Sequence, residues 1–68
     1  MTFYVWLAHN KERDDHIGDF ARDVQADPTF PQQAKTLGAM LEHLAVKLAS
    51  PAAVSALHAA YAEWKHSA

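Results

Sequence analysis

The sequence has no cysteine, only two glycines and three prolines in 68 residues, and no long apolar run. Without cysteine the chain has neither a disulfide nor a thiolate metal site, which is compatible with a reducing cytoplasm. No stretch approaches the roughly 18 apolar residues of a membrane span, and no basic residue precedes the apolar start, as a signal segment would require. We therefore expect a soluble, cytoplasmic protein without a membrane partner.

A strong excess of one charge is also lacking, because six Lys and Arg stand against eight Asp and Glu, for a formal net charge of −2. These cations are scattered and do not form the basic stripe that is typical of duplex-binding proteins. The length indicates one small domain, residues 1–68, and such a chain buries only about 60% of its unfolded surface. Stability must then come from helix packing, self-association or a partner.

Apolar residues at helical spacing predict an all-α fold, a compact bundle of four main helices plus one short helix. Side chains that can cap the main helices precede each of them: Thr2, Asp14 or Asp15, Thr36, and Ser50 followed by Pro51. The fifth, short helix is predicted at residues 32–35. Buried stripes are predicted at Ile17, Phe20, Ala21 and Val24; at Leu37, Met40, Leu41, Leu44 and Leu48; and at Val54, Leu57, Tyr61 and Trp64.

Four aspartates recur every four residues in the second predicted helix, at Asp15, Asp19, Asp23 and Asp27. This spacing places them opposite the apolar stripe, where an amphipathic helix carries its solvated residues. An EF-hand loop starting at Asp14 would need glycine at its sixth position and glutamate at its twelfth, where this chain has Asp19 and Gln25. A solvated face is the simple interpretation, and a weakly held cation is the alternative.

Other patterns that carry chemistry are missing from the sequence. The five histidines do not form the H-x-x-x-H pair that places two metal ligands on one helix face. Ser50 is explained as a helix cap, and neither a phosphate-binding glycine loop nor a nucleophile elbow is present. A helical chain of this length also has little volume for a walled pocket. We therefore expect no enzyme, catalytic residue, metal, cofactor or small-molecule substrate.

Three stretches of the chain, "TFYVWL" (2–7), "DDHIGDFARDVQAD" (14–27) and "FP" (30–31), followed by a late aromatic helix ending at Trp64, resemble the YozE-like family. These are small bacterial proteins whose fold is similar to the sterile alpha motif. The resemblance covers nearly the whole chain, although the segment from Thr36 to Ala49 fits less closely and Gly38 is unusual within it. It implies a compact bundle of five helices and provides no catalytic residues.

Two kinds of binding function follow as hypotheses. The first is a protein-interaction module, in which a candidate interaction face of Asp15, Asp19 and Asp23 meets a basic patch on a second copy or on an unknown protein partner. The candidate basic patch is Lys47, Lys65 and His66. The second, disfavoured hypothesis is a nucleic-acid-associated module that uses the same patch with Lys35 and His43, because the C-terminal half carries a small positive excess.

Overall fold

The computed structural model describes residues 1–67, which form four α-helices and no strand. In chain order they are α1 (Phe3–His9), α2 (His16–Ala26), α3 (Leu37–Val46) and α4 (Pro51–Ser67). The all-α prediction is thus confirmed for the part of the chain that the structure describes. Within residues 1–67, no helix combines the length and apolar character needed to cross a membrane.

Each helix begins at a capping side chain that the sequence predicts. The oxygen of the cap accepts a hydrogen bond from the backbone N–H three residues further on, which satisfies one donor left unpaired at a helix start. The four caps are Thr2 with Val5 at 3.2 Å, Asp15 with Gly18 at 2.9 Å, Thr36 with Ala39 at 3.3 Å and Ser50 with Ala53 at 3.2 Å. Of the two aspartates that could cap α2, the structure therefore selects Asp15.

The predicted fifth helix is wrong. Residues 31–36 form a turn and irregular backbone, in which the N–H of Ala34 donates to the carbonyl of Pro31 at 3.1 Å. The segment is confined between Pro31 and Thr36, whose side chain already caps α3. Helix nucleation fixes several dihedral angles for a single hydrogen bond, so a segment of this length gains too little to continue as helix.

The core forms where α2 packs against α4, with α1 contacting both helices and α3 packing on α4. The buried hydrophobic residues include the whole predicted stripe of α2, but only Met40 and Leu44 of the α3 stripe and Leu57 of the α4 stripe. Phe3 is fully buried at the centre of an aromatic cluster with Trp6, Tyr61 and Trp64, at ring-centroid distances of 5.6 to 6.0 Å. This cluster fixes the start of α1 against the end of α4.

Leu48, predicted to be buried, is instead 90% exposed. Helix α3 ends at Val46, and Leu48 adopts φ 55°, the left-handed conformation that reverses the chain toward α4. The Ala49 N–H donates to the Leu44 carbonyl at 3.0 Å and the Leu48 N–H to the Ala45 carbonyl at 3.1 Å, as in a Schellman motif. The motif ends the helical periodicity, so Leu48 leaves the buried stripe and points to solvent.

We expect the substitution Leu48→Gly to raise the free energy of unfolding by about 1 kcal/mol, because glycine adopts positive φ without the steric cost of a Cβ atom. Urea unfolding followed by circular dichroism measures the difference. Leu48→Ala removes the same exposed side chain but keeps the unfavourable φ, so it should leave stability nearly unchanged. Equal stabilisation by both substitutions would show that backbone strain is not the cause.

Candidate interaction surface

Three carboxylates lie along the outer side of α2 and its N-terminal cap, and we name Asp15, Asp19 and Asp23 the acidic surface. All three residues are exposed, and the side chain of Asp19 keeps 75% of its accessible area. Asp15 caps α2, while Asp19 and Asp23 follow one and two turns further along the helix. The opposite side of α2 is buried against the core, so the helix holds these carboxylates on a rigid support.

The three aspartates differ in the hydrogen bonds and ion pairs that their side chains form within the chain. Asp15 accepts from the Gly18 N–H at 2.9 Å and from Arg13 Nη2 at 2.7 Å, and these bonds hold the pKa of its carboxyl below the usual value. Asp19 pairs with Arg22, three residues further along the helix. The side chain of Asp23 makes no ion pair or hydrogen bond with residues 1–67. Asp15 is thus mainly structural, whereas Asp23 is available to a partner.

Two arginines fix the segment between α1 and α2, which carries Asp15. Arg22 Nη1 donates to the carbonyl of Lys11 at 2.6 Å and to that of Arg13 at 3.3 Å. Arg13 Nη1 donates to Glu63 Oε1 at 2.7 Å, which connects this segment to α4. Arg13 and Glu63 are 50 residues apart, so sequence reasoning missed the contact for lack of a local signal.

Asp27 does not continue the acidic surface, contrary to the sequence pattern. It ends α2, and its Oδ2 lies 2.9 Å from His43 Nε2, while its Oδ1 accepts from the Thr29 hydroxyl at 2.6 Å. The bond from Thr29, together with the His43 contact, holds the pKa of the Asp27 carboxyl far below its usual value. The side chain of His43 is only 14% exposed and its ring packs edge-on against Phe30. These contacts join the end of α2 to α3.

The lowered pKa of Asp27 predicts a specific loss of stability in acid. The Asp27 carboxylate binds a proton more tightly in the unfolded chain than in the folded one. Its contribution to the free energy of unfolding is therefore complete above the unfolded pKa of 3.8 and is lost as pH falls from there toward the folded pKa. We expect Asp27→Asn to be less stable at neutral pH and to lose less stability between pH 4 and pH 2, in urea titrations across that range. Asp14→Asn, which removes an exposed carboxylate without a hydrogen bond to residues 1–67, is the control. Parallel pH profiles for wild type and Asp27→Asn would contradict the prediction.

The candidate basic patch does not come together as one surface. Lys47 lies before α4, with its Nζ 4.0 Å from Asp27 Oδ1, beside Ser50 and Ala53. Lys65 and His66 lie in the last turn of α4. Lys65 is almost four turns from Pro51, roughly 21 Å along the helix at 1.5 Å per residue. Lys65 instead shares a cleft with Lys35, the residue that the nucleic-acid hypothesis added to the patch.

Histidine and carboxylate side chains do not form a metal-ligand cluster in the part of the chain that the structure describes, since no three of them converge. The aspartates of α2 point to solvent or pair with arginine, and His43 pairs with Asp27. What the described residues bring together is an exposed acidic helix surface on the packed core of a small all-α domain.

Comparison with known proteins identifies the family of this chain. The family model described as YozE SAM-like fold matches residues 2–66, nearly the entire chain. The chain therefore belongs to the YozE SAM-like family, as the motifs of its first 31 residues indicate. Neither the curated proteins nor the solved structures include a match to it.

Proposed function

We propose that this chain is a protein-interaction module without catalytic activity, and that it associates with copies of itself through the acidic surface. The observation that carries the proposal is the pair Asp19 and Asp23, exposed on one face of a helix whose other face is buried. Asp23 has no partner among residues 1–67 that would give it a structural role. A cytoplasmic location stays a prediction from composition.

The energetics of α2 support a role for Asp23 outside the isolated chain. Like charges four residues apart on a helix destabilise it by about 0.2 to 0.5 kcal/mol. Asp19 is offset by Arg22 and lies in the first turn, where the helix dipole favours negative charge, but Asp23 lies beyond that turn. A basic partner surface would relieve this repulsion and attract the acidic surface over distances near the Debye length.

A nucleic-acid partner is less well supported by the charges. Residues 28–68 carry three lysines against two glutamates, which is a small excess. Because Lys47 and Lys65 lie near opposite ends of α4, they do not form the continuous basic track that phosphate binding uses. Retardation of DNA or RNA at low salt, lost steeply as salt rises, would favour that alternative.

Self-association is tested by light scattering during size-exclusion chromatography, over a concentration series at low and high salt. We expect the wild-type mass to grow with concentration at low salt and the growth to diminish at high salt, because exposed charges are screened. The double substitution Asp19→Lys with Asp23→Lys should weaken association at least tenfold.

The matched control reverses two exposed glutamates outside the acidic surface, Glu12→Lys with Glu42→Lys, and changes net charge by the same amount. It should associate more strongly than the aspartate double variant. A wild-type monomer under every condition would discard self-association, and the acidic surface would then be solvated or bind a different protein. Equal association of the two double variants would show that net charge alone, and not this surface, controls the assembly.

A further inference from the structure

A cleft lies between the start of α1, the segment before α3 and the end of α4, and we name it the Trp64 cleft. Its volume is about 520 Å³, and its walls include Phe3, Ala34, Lys35, Trp64 and Lys65. A second cleft of about 330 Å³ shares Trp64 and extends to Trp6. Together they form an aromatic depression at the end of α4.

The rim of the Trp64 cleft is cationic. Lys35 and Lys65 are exposed, and neither forms an ion pair with residues 1–67. No carboxylate is among the described residues that line the cleft. Glu63 precedes Trp64 in the chain, but its carboxylate is bonded to Arg13. Among the described residues, the two ammonium groups therefore have no counter-charge in the cleft.

The walls of the cleft are fixed by contacts within the bundle. The Trp64 ring lies edge-on to Phe3 at 5.6 Å and tilted to Tyr61 at 5.7 Å. The Tyr61 hydroxyl lies 3.4 Å from the Lys35 carbonyl, and Lys65 Nζ lies 6.0 Å from the Tyr61 ring centre. A partner would therefore meet a largely preformed surface, which reduces the entropy lost on binding.

We propose that the Trp64 cleft receives the acidic surface of a second copy of this chain, with Lys35 and Lys65 facing Asp19 and Asp23. This inference rests on the proposed self-association and adds the surface that accepts the acidic one. Charge complementarity supports the pairing: among residues 1–67 the two lysines of the cleft form no ion pair, and exposed Asp23 forms none either. Lys65 Nζ lies 6.0 Å from the Tyr61 ring centre, and a docked copy would cover both lysines from water, which would strengthen their attraction to a carboxylate.

The positions of the two surfaces determine the kind of assembly. Asp19 and Asp23 border the first half of α4, because they share a cleft with Ala52 and Ala56, whereas Trp64 and Lys65 lie near its end. One copy therefore keeps its cleft open when its acidic surface is occupied. Such a contact is heterologous, so further copies add head to tail unless the ring closes.

The expected contact is weak and transient. The whole chain exposes 4256 Å², so an interface of standard size, about 800 Å² on each partner, would cover almost a fifth of it. A patch centred on two lysines and one aromatic cleft belongs at the small end of that range. Association should therefore be visible only at high protein concentration and low salt.

The experiment uses sedimentation of the full chain at low salt with two variants, each blocking one surface. The cleft variant carries Lys35→Glu and Lys65→Glu, and the acidic-surface variant carries Asp19→Lys and Asp23→Lys. Each alone should associate at least tenfold more weakly than wild type. An equimolar mixture should associate again, because the intact cleft meets the intact acidic surface and the two charge-reversed surfaces are also of opposite charge. Lys35→Gln with Lys65→Gln repeats the test without new carboxylates, and Lys11→Glu reverses an exposed lysine outside the cleft as control.

The outcomes separate this inference from the proposed function. Both cleft variants could associate as strongly as wild type while the acidic-surface variant does not. That result would overturn the cleft as acceptor and leave self-association in place. A monomeric wild type, or full association of both blocked variants, would overturn both proposals. Association that is restored only in the mixture would support the pairing of these two surfaces.

Discussion

The substitution Gly18→Ala is expected to destabilise the fold by about 3 kcal/mol, at the upper end of what overpacking of a close contact costs. A Cβ atom built on Gly18 would lie 1.9 Å from the Arg13 carbonyl oxygen and 2.7 Å from the carbonyl carbon. No Cβ atom occupies such a position, so the backbone must move. A domain of this length has a net stability of only a few kcal/mol, and most of it would be lost.

The Arg13 carbonyl has little freedom to move away from Gly18. It accepts from Arg22 Nη1 at 3.3 Å, and the Arg13 side chain is bonded to Glu63 on α4. Asp15, two residues further on, is held by its cap bond to the Gly18 N–H. Displacing this segment would weaken three contacts at once. Gly18 has ordinary helical backbone and no positive φ. Glycine is therefore required here by the close approach of the Arg13 carbonyl and not by the backbone conformation.

Thermal unfolding followed by circular dichroism tests this prediction, with an expected fall in Tm of roughly 12 to 24 °C at about 4 to 8 °C per kcal/mol. Gly38→Ala is the matched control, since a Cβ atom on Gly38 meets nothing within 4 Å. Alanine is the better helix former, so this variant should gain about 0.5 to 1 kcal/mol. A Gly18→Ala protein as stable as wild type would refute the close approach of the Arg13 carbonyl.

The second large effect is expected for Phe3→Ala, which should cost about 3 to 5 kcal/mol and leave the chain largely unfolded in buffer. Phe3 is completely buried and contacts Trp6, Tyr61 and Trp64. Alanine would leave a cavity between the start of α1 and the end of α4. The helix of seven residues is too short to persist without this packing.

Far-ultraviolet circular dichroism and tryptophan emission measure the loss of helix and the exposure of Trp6 and Trp64. Phe3→Leu keeps more of the side-chain volume and should retain the fold with lower stability. Val5→Ala on the same helix removes a side chain that is 41% exposed, and it should change stability by less than about 0.5 kcal/mol. A native spectrum for Phe3→Ala at room temperature would contradict the assigned role of Phe3 in the core.

Local sequence predicted most of the secondary structure because its determinants are local. A hydroxyl or carboxylate before each helix accepts a hydrogen bond from the N–H three residues further on. Pro28 and Pro31 separate α2 from α3. The periodic stripe of α2 identified its buried face correctly. The prediction was wrong at Leu48, because apolar periodicity does not show where a left-handed residue ends the helix.

The candidate site was only partly predictable. Spacing by four residues indicated that Asp19 and Asp23 share an exposed face, and the structure agrees. The same spacing included Asp27, which instead pairs with His43, and it gave no sign that Lys35 and Lys65 line one cleft. Those contacts join residues 16 or more positions apart, so neither helix propensity nor the spacing of residues along a helix predicts them.

The sequence by itself determined the all-α class, three helix starts and that of α2 to within one residue, the acidic side of α2 and the family. Each of these depends on interactions within about one helical turn or on a pattern that is read along the chain. Only the tertiary structure decided which charges are paired within the bundle and which are left for a partner. The reason is that the neighbours of Arg13, Asp27 and Lys65 are distant in sequence. The packing of the helices brings them together.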